Sequence, residues 1–142
     1  MKIYADTSFL VSLYSLDANS ASAAQAIHAS TGDCFVTTLG ELEVVNALGL
    51  RIFRKEVTVA QAHSSLADFE KDLRDGVFQL RGLTDHVFER AHQLSRQTTA
   101  KLGTRTADVL HVAAALELGA DYIYSFDQQQ RKLAQTLHLK LN

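Results

Sequence analysis

RTADVLHVAAALELGADYIYSFD runs from Arg105 to Asp127, and its apolar spacing changes period partway along. Val109, Val112, Ala113 and Leu116 recur at helical spacing, and Gly119 is a natural C-terminal stop. Tyr122 to Phe126 then carry the aromatic and β-branched side chains of a short buried strand, and Asp127 follows at once. Asp108 lies in the first turn of the helix. A helix, a tight turn and a strand with an acid at each end form one α/β unit. Its two carboxylates are placed to share a ligand, and the ligand expected is a divalent metal ion.

The same alternation extends to both sides. Upstream, Lys2–Ala5 reads as a short buried strand cut off by Asp6, and Asp6-Thr7-Ser8 can cap a helix carrying Phe9, Leu10, Leu13 and Tyr14. An alanine-rich helix over Ala23–Ala29 precedes a strand over Cys34–Thr37. Thr38 opens a long helix reaching Phe53. Thr58 caps another helix, with Ala62, Leu66, Phe69 and Leu73, that stops at Gly76. Val77, Phe78 and Leu80 read as a strand, and Thr84 or Asp85 caps a helix through Leu94. Downstream, Gln128–Leu137 is a helix and His138–Leu141 a final strand. Strands alternating with helices give a largely parallel sheet covered on both faces. In such sheets functional groups gather beyond the carboxyl ends of the strands.

Composition narrows the function classes. The 142 residues are 46% apolar and 21% charged, enough for one folded domain over residues 1–142. A formal charge of −2 excludes nucleic-acid binding by bulk basicity, so any such contact is local or depends on metal ions. Cys34 is the only cysteine, which rules out an intrachain disulfide. No apolar run has membrane-spanning length and the N-terminus lacks a secretory layout, so a cytoplasmic protein without membrane contact is expected.

Four acids carry the chemistry: Asp6, Glu43, Asp108 and Asp127. Each has an ordinary role open to it. Asp6 and Asp127 can cap helices, Asp108 can complement a helix dipole, and Glu43 can be solvated. Together they suit Mg²⁺ or Mn²⁺, because crowded carboxylates are driven toward protonation unless something positive lies between them. A metal so held can polarise a phosphate and activate water. Arg105 can grip a phosphate or orient Asp108. His111 is expected to be a partly buried histidine bonded to backbone, and Arg51, Arg54 and Lys55 either offset a helix C-terminus or meet phosphates or the acidic groups of a protein partner. Glu41 and Glu43 point to different sides of their helix, and Glu43 is preferred because Asn46 and Ala47 share its side.

At these residues the chain resembles PIN-domain ribonucleases. The resemblance is carried by Asp6-Thr-Ser after a strand, by Glu43-Val-Val-Asn-Ala-Leu, by the Arg105–Ala115 segment and by Ser125-Phe-Asp127, and it is specific in order and spacing. Many bacterial VapC-like toxins have a similar segment around Asp108. The resemblance implies a three-layer α/β/α PIN-like domain and a Mg²⁺- or Mn²⁺-dependent endoribonuclease acting on RNA. It implies catalytic Asp6, Glu43, Asp108, Asp127 and Ser125, the four acids being the metal ligands. It also implies positioning or substrate contacts from Thr7, Ser8 and Arg105, a cognate antitoxin and a homodimer. Two alternatives stay open: a catalytically silent module that docks a protein or RNA partner, and a phospho-acceptor with Asp6 as nucleophile. The second lacks the further acid such enzymes place two residues on, where this chain has Ser8.

Overall fold

The computed structural model describes residues 1–142. In chain order the elements are β1 (Lys2–Ala5), α1 (Thr7–Tyr14), α2 (Ser20–Ala29), β2 (Asp33–Thr37), α3 (Thr38–Phe53) and α4 (Val59–Arg74). There follow β3 (Gln79–Arg81), α5 (Asp85–Leu94), a π-helical turn over Ser95–Thr99, α6 (Ala100–Leu102), α7 (Thr106–Glu117), β4 (Tyr122–Tyr124), α8 (Gln128–Thr136) and β5 (Lys140–Leu141). All four strand pairings are parallel and the order across the sheet is β3-β2-β1-β4-β5. The chain therefore winds outward from β1 in one direction, then returns to start β4 on β1's other side. That reversal leaves a crevice at the carboxyl ends of β1 and β4.

Strand alternation divides the core in two. Ile3 and Ala5 face one layer, with Phe9, Leu10, Val44, Phe69 and Phe78. Tyr4 and Ile123 face the other, with Val109, Val112, Ala113 and Leu133. Period-2 strands thus feed two helical layers, α1 to α4 on one face and α5, α7 and α8 on the other, the α/β/α arrangement expected. Burying side chains of the size of Phe9 or Ile123 contributes about 1.5–3 kcal/mol each, and both are wholly buried.

Several boundaries differ from the sequence expectation. The strand expected to reach Phe126 ends at Tyr124, because side chains take the next backbone N–H groups. Asn142 Oδ1 accepts from Ser125 N at 2.8 Å, Ser8 Oγ from Phe126 N at 2.9 Å, and Ser125 Oγ from Asp127 N at 3.1 Å. Phe126 stacks on Phe9, with ring centroids 5.7 Å apart, and pins this loop to α1. β3 begins at Gln79, with Val77 half-exposed before it. The π-helical turn was not signalled by any residue pattern; within it Thr98 Oγ1 donates to the Leu94 carbonyl at 2.6 Å. No helix is long and apolar enough to cross a membrane.

Candidate active site

Asp6 sits where β1 ends. Its backbone N–H still donates to the Tyr124 carbonyl of β4 at 3.0 Å, so the acid is fixed at the crevice. The side chain caps α1 by accepting from Phe9 N at 2.8 Å, yet is 2% exposed and also lines the cleft. Capping and a place in the site are therefore not alternatives here. Ser8 Oγ donates to the same oxygen at 2.8 Å, and Gln130 Nε2 donates to the other at 2.6 Å. Burial pushes the Asp6 carboxyl above its ordinary range. Positive charge on His111 and the hydrogen bonds from Ser125, Phe9 and Ser8 oppose that shift.

Asp127 repeats the pattern at α8. Its Oδ1 accepts from Gln130 N at 3.0 Å as an N-cap, and its Oδ2 accepts from Arg105 Nη2 at 3.0 Å. Asp108, buried in the first turn of α7, accepts the Arg105 backbone N–H at 2.9 Å and lies 3.4 Å from Arg105 Nε. Arg105 is thus a bridge between two acids from different elements, while its own side chain remains 74% exposed.

Glu43 reaches in from α3. Thr7 Oγ1 donates to its Oε1 at 2.8 Å, and His111 Nε2 bonds the same oxygen. His111 is buried as expected, but its partners are side chains: Tyr4 Oη lies 2.7 Å from Nδ1, and Thr37 Oγ1 lies 3.1 Å from Tyr4 Oη. In both the Nε2-protonated neutral ring and the imidazolium, Glu43 receives the Nε2 proton. Burial pushes the Glu43 carboxyl up, but His111, Thr7 and the charge of Arg105 outweigh it and hold the acid below its ordinary range. Glu41 takes no part in this network.

Asp6, Thr7, Ser8, Glu43, Arg105, Asp108 and Asp127 all line one cleft of about 620 Å³. Ser125 does not. It is wholly buried behind the cleft, 3.4 Å from Ser8 Oγ, and accepts the Asp127 N–H. Gln130, which holds Asp6 and follows Asp127 by three, was missed in the sequence. The Asp127-x-x-Gln frame, which resembles a capping box, was the available signal. Tyr4 was missed because a strand tyrosine reads as core.

Only part of the acids' charge awaits a bound cation, contrary to expectation. It is not left for a metal ion alone to cancel: Arg105 stands between Asp108 and Asp127, while His111 hydrogen-bonds Glu43. Nor do three or more His, Cys, Asp or Glu side chains converge as a ready-made cage. The donor chemistry nonetheless fits a hard cation. The cleft offers carboxylate and hydroxyl oxygens and no thiolate, and Mg²⁺ usually takes one or two carboxylates and fills its other positions with water and substrate phosphate.

The sequence matches the PIN-domain family over residues 3–135. No curated protein matches it significantly. The fold is similar to that of VapC20 of Mycobacterium tuberculosis, a sarcin–ricin loop cleaving toxin, at 18% identity, covering 92% of this chain and 93% of that one with a TM-score of 0.72. It is similar to VapBC-1 of nontypeable Haemophilus influenzae at 12% identity, covering 100% and 97% with a TM-score of 0.68. A toxin–antitoxin complex from Klebsiella pneumoniae aligns at 16% identity, covering 90% and 88% with a TM-score of 0.65. At these identities the likeness is one of fold.

Proposed function

The chain belongs to the PIN-domain family, and from that premise we propose that it is a Mg²⁺- or Mn²⁺-dependent endoribonuclease, the toxin of a toxin–antitoxin pair. The observation that carries the proposal is that Asp6, Glu43, Asp108 and Asp127, drawn from four different parts of the chain, open onto one cleft. Arg105 offsets part of that charge, and the carboxylate and hydroxyl oxygens gathered there suit a hard cation.

Asp6, Asp108, Asp127 and Glu43 are the residues that would hold the cation. Once bound, it would offset their charge and polarise an RNA phosphodiester for attack by water. The chain's own groups do the positioning. Ser8 and Gln130 hold the Asp6 carboxylate, Thr7 and His111 hold Glu43, and Ser125 holds the loop that presents Asp127. Ser125 acts through Asp127 and Ser8, since it is shut off from the cleft. Arg105 and Arg54 line the cleft as phosphate contacts; Arg51 lines it too, but is already paired with Asp17 at 2.7 Å.

For the antitoxin, the support is the fold shared with toxin–antitoxin complexes, together with Leu42, Val45, Leu50 and Phe53, exposed on α3 beside the cleft. An apolar strip of this kind is what a partner covers. A homodimer working in the cytosol is the expected assembly; light scattering that returned the 15.6 kDa monomer mass would count against it.

The direct test maps RNA cleavage sites in cells after brief induction of the wild-type protein, with Asp6→Asn as control. Discrete cuts that depend on Asp6 are expected. The silent binding module is favoured by the closed Arg105 bridge, and metal binding without any turnover on diverse RNAs would support it instead.

A further inference from the structure

Arg105 is an unusual component for a metal site, because it occupies the acids that a metal ion would need. We propose that Arg105 is a tethered cation that stands in for the divalent ion, bridging Asp108 and Asp127 until metal binds, and then turns to the substrate phosphate. This rests on the metal-dependent reading above.

The geometry supports such an exchange. The guanidinium spans two carboxylates from separate elements, 3.4 Å from Asp108 and 3.0 Å from Asp127. Each contact is long or solvent-facing, and the side chain is 74% exposed, so leaving breaks only weak ion pairs. By contrast, the grip on Asp108 from the Arg105 backbone N–H, at 2.9 Å, does not involve the side chain. Asp108 therefore keeps its orientation when the guanidinium swings away. Metal and guanidinium carry the same sign, so both cannot sit against these oxygens without repulsion. Once displaced, a guanidinium at the mouth of the cleft has a phosphate as its matching bidentate partner. Metal entry and substrate capture are then coupled through one side chain: the ion frees Arg105, and Arg105 binds RNA.

The consequence is counterintuitive for a residue assigned to the machinery. Removing Arg105 should tighten metal binding while weakening RNA binding. The experiment measures Mn²⁺ binding to the apo protein by the loss of the free-ion electron paramagnetic resonance signal, for wild type, Arg105→Gln and Arg105→Lys. Circular dichroism confirms that each variant is folded. Arg105→Gln is expected to bind Mn²⁺ about three- to tenfold more tightly than wild type, with Arg105→Lys between them. In EDTA, Arg105→Gln should melt below wild type, and saturating Mn²⁺ should remove or reverse that gap. Its affinity for a non-cleavable single-stranded oligonucleotide should fall. Wild type that binds Mn²⁺ while Arg105→Gln binds no more tightly overturns the exchange and leaves the nuclease proposal standing. Failure of both proteins to bind Mn²⁺ overturns the exchange and the metal-dependent reading together.

Discussion

Asp6 accepts hydrogen bonds from Ser8, Phe9 and Gln130 and is almost fully buried, and burial still raises its carboxyl above the ordinary range. A carboxyl that binds its proton more tightly when folded adds stability below the unfolded-state range and loses it as pH rises through the folded value. Asparagine caps a helix about as well as aspartate. Asp6→Asn is therefore expected to melt above wild type at neutral pH in EDTA, with the gap closing at acid pH, while RNA cleavage falls by about a hundredfold or more. Melting curves across pH check the first part, and a variant no more stable than wild type at pH 7 would contradict it. Glu43 and Glu41 give a paired test at the same scale. Glu43→Gln keeps an acceptor for Thr7 and His111 but removes the negative charge, and should abolish most turnover, whereas Glu41→Gln should leave it near wild type. The acids were legible because their order and spacing are a pattern. Gln130 and Tyr4 were not, since a side chain that works by holding another leaves no spacing of its own.

At the level of elements, α3 and α7 are joined across the site by the Glu43–His111 contact, and Asp108 and His111 lie one helical turn apart on α7. His111→Ala would leave Tyr4 Oη with Thr37 alone as a buried partner and Glu43 with Thr7 alone as a donor. We expect a stability loss of about 1–3 kcal/mol and a cleavage loss of about ten- to a hundredfold, read by denaturant unfolding and by turnover. Gly119 ends α7 with φ of 68°, so Gly119→Ala should cost about 1 kcal/mol, with activity retained in the folded fraction. Helix caps and glycine stops made the helices readable. The end of β4 was not, because hydrogen bonds from residues 8 and 142 decide it, and no local window contains them. The π-helical turn at Ser95–Thr99 was hidden for a different reason: it changes local hydrogen-bond partners without changing side-chain pattern.

Across the whole molecule, a net charge of −2 coexists with a cleft proposed to take RNA. Only Arg54 and Arg105 among its cations are available without breaking the Arg51–Asp17 pair. RNA affinity should then depend weakly on salt, with a log–log slope of about −1 to −2, and Arg54→Ala should reduce it by about 0.7. A filter-binding series over salt concentration gives the slope; one several times steeper would mean a wider basic surface than the cleft provides. Alternating strands and helices foretold a parallel sheet, but not that β1 lies at its centre with β4 beside it. That placement comes from long-range pairing, and it is what brings Asp6 to the Ser125–Asp127 loop. The measurement that bears most directly on the account is a cleavage time course on end-labelled RNA with pure protein, comparing Mn²⁺ with EDTA and wild type with Asp108→Asn. Discrete products from wild type in Mn²⁺ alone are predicted; equal cleavage in EDTA, or by Asp108→Asn, would contradict it.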